Sequence, residues 1–217
     1  MNERTKELDS LRGIAVILVI AFHVFKRAAY FTKHEVLQFV SGLANIGWLG
    51  VDIFFVLSGF LITSILLKTK SGENYFKNFY ARRILRIFPL YYAFIVVMLI
   101  LMPIINADYA SSLHFLTPYL LLYIQNWVVS LKIGGLPAYL SVTWSLAVEE
   151  QFYLIWPLIV YYTRKETLIK IGLGVIIFSF FYRIQAAQFW DPSRQFASFF
   201  YFDTFTRFSE LLFGALL

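Results

Sequence analysis

Stretches of about 20 apolar residues recur along the chain, separated by shorter stretches that contain charged residues, glycine or proline. A helix of this length crosses the roughly 30 Å hydrocarbon core of a bilayer. The apolar stretches lie at residues 11–30, 46–67, 87–106, 113–131, 144–163 and 168–186, followed by a partial one from about 206. The pattern predicts an all-α, polytopic transmembrane bundle with about six complete spans and a truncated seventh, in a single domain over residues 1–217. Because the last apolar run stops at Leu217 after about half a span, we interpret the chain as a fragment or short member of a longer membrane protein.

The composition agrees with a chain that lies in lipid. Hydrophobic residues make up 59% of it and charged residues 15%, whereas soluble domains are nearer half apolar and a quarter charged. The absence of cysteine excludes disulfides, thiolate nucleophiles and cysteine-based metal sites. The net charge of +6 does not indicate nucleic-acid binding, because basic residues in membrane proteins mainly mark the cytoplasmic loops.

The basic residues predict how the chain is oriented in the membrane. The densest basic loop, 68–86, should be cytoplasmic; its cations are Lys68, Lys70, Lys77, Arg82, Arg83 and Arg86. With one crossing per apolar stretch, the N-terminus is then cytoplasmic too, in a multi-pass protein of the cell's inner or plasma membrane. If the stretch 113–131 is re-entrant, the basic turn at 164–166 is cytoplasmic, as the rule for basic loops expects. If 113–131 crosses the membrane, the same turn lies outside, against the rule, so the sequence leaves both arrangements open.

One histidine, His23, lies inside the first apolar stretch, eleven residues after Arg12. Eleven residues turn a helix through about 1100° and advance it by about 16 Å. The two side chains therefore share one helix face, with Arg12 near the membrane surface and His23 about half a bilayer deeper. Because an ionisable side chain is costly in hydrocarbon, His23 is a candidate functional residue.

Carboxylates begin two further apolar stretches. Asp52 could pair with a cation or accept a hydrogen bond from a histidine, and it could equally be an interfacial acid solvated by lipid headgroups. Glu149 and Glu150 are adjacent, and on a helix they point about 100° apart. One of them can line a site while the other faces water or a basic partner. Acids in a first helical turn also complement the helix dipole, which explains one carboxylate better than two.

Three arginines, Arg82, Arg83 and Arg86, open the third apolar stretch. Guanidinium groups grip phosphates through paired hydrogen bonds, so the cluster is a candidate anion clamp. The alternative is an ordinary cytoplasmic anchor, which taken alone explains the cluster better. The three histidines of the chain lack the spacing of metal ligands, and we expect no metal site.

Four segments together resemble the acyltransferase 3 family of membrane-bound O-acyltransferases. Arg12 followed by His23 resembles the family's arginine-to-histidine motif, and residues 50–60 resemble its second-span signature. Residues 83–91 resemble its paired-arginine motif, and residues 143–153 are similar to its Ser-Leu-x-x-Glu motif. Members commonly carry about ten spans of about 20 residues each, and their function is the modification of cell-surface glycans.

The resemblance implies transfer of an acyl group, most often acetyl, from acyl-CoA to a hydroxyl of a glycan or lipid-linked saccharide. The donor would be a co-substrate, and no tightly bound cofactor is expected. In this interpretation the arginines hold the phosphates of CoA at the cytoplasmic mouth, and the residues concerned are Arg83 and Arg86, with Arg82 and Arg12 as further members. Arg12 could instead neutralise Asp9, one helical turn away.

The candidate catalytic residues are His23, Glu149 and Asp52. His23 would act as general base on the acceptor hydroxyl or carry the acyl group briefly, because an imidazole titrates near neutral pH. Glu149 could orient His23 or shuttle its proton. The competing interpretation is a transporter or flippase that uses the same three residues as a proton relay. Such proteins often contain repeated halves, and no repeat is visible in this sequence.

Replacing His23 by alanine tests the role of this residue. We expect the His23→Ala protein to insert into the membrane normally and to lose acyl transfer, because alanine can neither accept a proton nor carry an acyl group. Transfer of labelled acetyl groups in membrane vesicles measures this. Transfer at a near-normal rate in the variant would contradict the assignment.

Overall fold

The computed structural model describes residues 3–31, 34–107, 109–131, 133–189 and 201–217, and within these ranges the regular structure is helical throughout. The α-helices are α1 (Glu3–Phe31), α2 (Glu35–Ala44), α3 (Leu49–Thr69), α4 (Tyr75–Ile105), α5 (Tyr109–Leu121), α6 (Gln125–Ser130), α7 (Thr143–Tyr162), α8 (Lys165–Phe189) and α9 (Thr204–Leu216). A short 3-10 turn at Asn45–Trp48 joins α2 to α3. The all-α prediction is confirmed for these parts of the chain.

Within the described residues, four stretches are long and apolar enough to cross a membrane: Lys6–Lys26, Glu35–Thr69, Tyr75–Ile105 and Lys165–Gln185. They correspond to the predicted stretches at 11–30, 46–67, 87–106 and 168–186. The predicted count of six complete spans and a truncated seventh is therefore not confirmed. The stretch at 144–163 is helical as α7, which is not among these four candidate spans.

The stretch at 113–131 does not form the single long helix that its apolar character suggests. It divides into α5 and α6, with 13 and 6 residues. Each is shorter than the about 20 residues that a span requires. The break lies at Tyr123, a non-glycine residue with a positive φ of 54°. A left-handed residue cannot continue a right-handed helix, so the chain turns here.

The chain divides into two compact units, the first of which contains residues 1–62 and 210–217. In this unit α1 packs against α2 and the 3-10 turn. The end of α9 meets α3 through glycines: a Cβ atom on Gly59 would overlap the carbonyl oxygen of Leu211, and one on Gly214 would overlap that of Val56. Small residues thus let the two backbones approach closely, as in many helix pairs of membrane proteins.

The second unit contains residues 63–209, and its core lies among α4, α5, α6 and α7. Buried members of this core are Tyr91, Ile95, Leu113, Leu116, Leu120, Tyr123, Val128, Leu140 and Ala147. Two tyrosines of α4 also donate hydrogen bonds to carbonyls of α7 at or near Pro157. The hydroxyl of Tyr80 donates to the carbonyl of Leu154 at 2.8 Å, and that of Tyr75 to the carbonyl of Pro157 itself at 3.2 Å. Proline disturbs the helical ladder at this point, and neighbouring hydroxyls supply partners for carbonyls beside it.

The start of α9 is capped by Asp203. Its Oδ1 atom accepts hydrogen bonds from the backbone N–H groups of Phe205 at 2.9 Å and Thr206 at 3.2 Å. These are the second and third residues of the helix, the usual partners of an N-cap side chain. Burial raises the pKa of the Asp203 carboxyl above its ordinary value, and the two backbone hydrogen bonds oppose that rise.

The close glycine contact between α3 and α9 predicts that alanine is destabilising at Gly59. Gly174, which lies outside this contact, is the control and should respond in the opposite direction. Gly59→Ala should lower the free energy of unfolding by about 1–3 kcal/mol, because the added methyl group forces backbone apart. Gly174→Ala in α8 should raise it by up to about 1 kcal/mol, because alanine favours the helix and its Cβ atom meets nothing within 4 Å. Unfolding in detergent micelles measures both. Equal stability of Gly59→Ala and the unaltered protein would contradict the contact.

Candidate active site

Arg12 and His23 both lie on α1, which is one continuous helix from Glu3 to Phe31. An Nη atom of Arg12 lies 3.4 Å from Oδ1 of Asp9, so the two charges form an ion pair one turn apart. This is the pairing that the sequence offered as an alternative to a role in anion binding.

The ring of His23 is oriented by its own helix. Its Nδ1 atom lies 2.8 Å from the carbonyl oxygen of Val19. A carbonyl only accepts hydrogen bonds, so Nδ1 carries the proton, and in the neutral ring Nε2 is then the acceptor. Phe22 packs edge-on to the imidazole, with ring centroids 5.3 Å apart. With Nδ1 bound to its own helix, Nε2 is the nitrogen left to accept a proton from another group.

Asp52 lies in the first turn of α3 and is half-buried. A carboxylate at this position interacts favourably with the positive end of the helix dipole. This placement agrees with the structural interpretation of Asp52 and leaves its catalytic assignment a prediction.

The second unit contains a cavity of about 250 Å³ between α4, the turn before α6, and α7. We call it the Arg83 cavity, and its lining residues are Tyr80, Arg83, Ile84, Phe88, Leu122, Tyr123, Glu150, Gln151, Tyr153 and Leu154. Most of this wall is aromatic or aliphatic, and it contains one cation and one carboxylate. An apolar cavity with a few convergent polar groups is the usual form of a small-molecule site.

Arg83 is held at the edge of this cavity by aromatic rings. Its guanidinium carbon lies 5.3 Å from the ring centroid of Tyr153 and 5.8 Å from that of Phe79. Such stacking orients the planar group by cation–π attraction. Because no described carboxylate lies within 4 Å of it, the N–H groups of Arg83 are available to an anion in the cavity.

Glu150, rather than Glu149, lines the cavity with Arg83. The Oε1 atom of Glu150 is buried and has no hydrogen-bond partner among the described residues. Glu149 instead accepts a hydrogen bond from the hydroxyl of Tyr153 at 3.3 Å. The two acids thus have different surroundings, as the sequence predicted. Glu149, the candidate catalytic residue from the sequence, lies outside the cavity wall. Leaving a buried carboxylate oxygen unpartnered costs free energy, which is a common mark of a functional site.

The other two arginines of the cluster point elsewhere. Nε of Arg82 donates to the carbonyl of Asn78 at 2.9 Å, on an exposed face of α4. Arg86 lines a second, larger cavity of about 490 Å³, whose other lining residues are Ile87, Leu90, Tyr91, Phe94, Val142, Thr143 and Leu146. Arg83 and Arg86 therefore line separate cavities, although they are close in sequence.

Tyr123 and Gln151 line the Arg83 cavity although they were not predicted as site residues. Gln151 completes a run of three polar residues, 149–151, inside an otherwise apolar stretch, and that run was the available signal. Tyr123 carries no such signal, because a tyrosine between apolar residues is typical of a core. No group of three or more possible metal ligands occurs among the described residues.

The arrangement can bind an anion and a hydrogen-bond donor side by side. Arg83 offers several N–H donors to phosphate or carboxylate oxygens. Glu150 offers an acceptor in the wall of the same cavity. A ligand that combines a phosphate with N–H or O–H groups matches both.

Comparison with known proteins adds to this geometry. The family model for the acyltransferase domain of acyltransferase 3 type matches residues 5–217. The peptidoglycan O-acetyltransferase OatA of Listeria monocytogenes is 37% identical over 224 residues, which cover 97% of this chain and 33% of that protein. A Bacillus subtilis protein, YrhL, whose name gives the same activity as a provisional assignment, is 34% identical, covering 97% of this chain and 32% of its own length. The chain thus spans about a third of the curated relatives it matches. No solved structure matches it.

The unpartnered oxygen of Glu150 leads to a stability prediction. Glu150→Gln should raise the free energy of unfolding by about 1–3 kcal/mol, because a neutral amide is less costly to bury than a carboxylate without a partner. Glu149→Gln is the matched control and should give no such gain, because Glu149 already accepts from Tyr153. Thermal unfolding in detergent compares the two. A loss of stability in Glu150→Gln alone would mean that this carboxylate is structural.

Proposed function

Because this chain belongs to the acyltransferase 3 family, we propose that it transfers an acetyl group to a hydroxyl of a cell-envelope glycan. The names of its relatives support this acceptor class, since one of them is a peptidoglycan O-acetyltransferase. The observation that carries the proposal is the Arg83 cavity. Its wall contains Arg83, with no described carboxylate within 4 Å, and a buried oxygen of Glu150 that has no hydrogen-bond partner among the described residues. The proposed location is the cell membrane, with the N-terminus in the cytoplasm.

The proposed donor is acetyl-CoA. Its phosphates suit the guanidinium of Arg83, because that group forms paired hydrogen bonds to phosphate oxygens. The amide N–H and hydroxyl groups of CoA suit the carboxylate of Glu150. A cavity of about 250 Å³ holds only part of so large a molecule, and Arg86 and Arg82, on the same helix as Arg83, are the proposed further contacts. The aromatic wall of the cavity excludes water from the bound part.

His23 is the proposed general base. Its Nε2 atom takes the proton of the acceptor hydroxyl as the oxygen attacks the carbonyl carbon of the thioester. The carbon–sulfur bond then breaks, and the CoA thiolate leaves and takes the proton from the imidazolium. The products are the acetyl ester and CoA, and His23 returns to its neutral form. The hydrogen bond from Nδ1 to the carbonyl of Val19 supports this role, because it leaves Nε2 as the acceptor.

The test is direct transfer of radiolabelled acetyl groups from acetyl-CoA to a soluble peptidoglycan fragment by the protein in lipid vesicles. We expect a base-labile ester on the fragment. Passage of the fragment across the vesicle membrane with no ester formed would overturn the proposal and favour a transporter.

The donor contact has its own prediction. Replacing Arg83 and Arg86 together by glutamine should raise the KM for acetyl-CoA at least tenfold, since each lost charge-assisted hydrogen bond is worth about 1.5–3 kcal/mol. Lys77→Gln is the matched control, an exposed cation on the same helix that lines neither cavity. Steady-state kinetics measure both. A KM within twofold of the unaltered value in the double variant would mean that the arginines only anchor the helix.

A further inference from the structure

Three side chains in the second unit form a closed ring of hydrogen bonds. Nε2 of Gln151 donates to Oδ1 of Asn126 at 2.9 Å. Nδ2 of Asn126 donates to Oγ1 of Thr204 at 2.8 Å, and the Thr204 hydroxyl donates to Oε1 of Gln151 at 2.6 Å. Each residue therefore donates to the next and accepts from the one before. Such a sequence of donors polarises its members and strengthens each bond.

The ring joins three segments that are distant in sequence. Asn126 comes from α6, Gln151 from α7 and Thr204 from the start of α9. Asn126 is fully buried and Thr204 nearly so, at 0% and 4% exposure. Removing one member would take one hydrogen bond from each of the other two, and loss of a hydrogen bond at buried polar atoms is costly. The ring is therefore a strong local constraint on where α7 lies relative to the turn between α5 and α6.

Gln151 has a second hydrogen bond that reaches this turn. Its Nε2 atom also donates to the carbonyl oxygen of Tyr123 at 2.7 Å. Tyr123 is the residue with a φ of 54°, a conformation that a bulky side chain rarely adopts. Strained residues of this kind persist only where their surroundings hold them. Here the amide of Gln151 fixes the backbone, while the ring of Tyr123 stacks on that of Tyr91, 4.2 Å away.

The turn at Tyr123 shapes the Arg83 cavity. Tyr123 and Gln151 are both in its wall, and Glu150 precedes Gln151 on α7. A change in the backbone at Tyr123 would move an aromatic ring that lines the same cavity as Glu150, whose Oε1 atom is buried. Holding Gln151 in place also fixes the direction of Glu150, because adjacent residues on a helix keep a constant angle.

We propose that Gln151 is a positioning residue of the candidate active site: its ring with Asn126 and Thr204 holds Tyr123 in the left-handed conformation, so that the cavity closes over Glu150. Gln151 acts through Tyr123 and Glu150 rather than by reaction with substrate. The catalytic part of this inference depends on the proposed function, but the effect of the ring on the shape of the cavity does not.

The experiment compares two isosteric substitutions that each remove a buried threonine hydroxyl. Thr204→Val breaks the ring. Thr63→Val is the matched control, because Thr63 is also buried and accepts one hydrogen bond, from Trp156 at 2.8 Å, but lies outside the ring and the cavity wall. Gln151→Leu removes the ring and the bond to Tyr123 together. Thr204→Ser keeps the hydroxyl and should rescue the behaviour of the unaltered protein.

The first measurement is the rate at which a hydrophobic carbodiimide modifies Glu150, followed by mass spectrometry with the exposed Glu166 as internal reference. We expect Gln151→Leu and Thr204→Val to be modified at least fivefold faster, because the cavity wall opens. Thr204→Ser and Thr63→Val should stay within twofold of the unaltered protein. This readout does not require acetyl transfer, so it tests the ring even if the proposed function fails.

The second measurement is acetyl transfer with varied acetyl-CoA. Gln151→Leu and Thr204→Val should raise the donor KM at least fivefold with a smaller change in kcat, whereas a general loss of folded protein would lower only the apparent kcat. Unchanged labelling of Glu150 and unchanged KM in folded Thr204→Val would overturn the proposal. Equal effects of Thr63→Val and Thr204→Val would overturn it as well. If Gln151→Leu does not fold, the comparison of Thr204→Val with Thr204→Ser still tests the proposal.

Discussion

Apolar surroundings offer no hydrogen bonds, and the rest of this structure depends on how the chain meets that constraint. Its backbone does so by forming helices, in which N–H and C=O groups find partners within the segment. Where a proline disturbs α7, the hydroxyl of Tyr80 supplies a partner for a nearby carbonyl. Where α5 ends early, the side-chain amide of Gln151 donates a hydrogen bond to the carbonyl of Tyr123. Polar side chains in the second unit are therefore mostly committed to holding the fold.

Against that background, two polar groups of the Arg83 cavity that lack such partners support the proposed site. Arg83 is oriented by aromatic rings and has no carboxylate within 4 Å among the described residues. Glu150 has a buried oxygen without a described partner. A fold that satisfies Gln151 through three hydrogen bonds while leaving its neighbour Glu150 unsatisfied is less stable than it could be. Natural proteins commonly accept such a cost at functional sites.

The long apolar helices and the separate roles of Glu149 and Glu150 could be predicted from the sequence, because both follow from local rules. Four of the predicted stretches form helices long and apolar enough to span a membrane, and Glu149 and Glu150 face different environments, as their helical spacing predicts. The break at Tyr123 could not be predicted in this way. Nothing in the apolar run 113–131 marks Tyr123 as left-handed, since that conformation depends on Gln151, 28 residues further along the chain.

The sequence by itself determined the class of protein. The apolar stretches, the four motifs in their order and the few ionisable residues within apolar stretches are local features, which can be recognised without knowing how the helices pack. Only the tertiary structure decided which of the charged residues meet. It assigns Arg83 and Arg86 to different cavities although only three positions separate them, and it places Glu150, not Glu149, in the wall of the Arg83 cavity. The physical reason is that both choices depend on the environment around each side chain, and distant segments such as the turn at Tyr123 and the start of α9 create that environment.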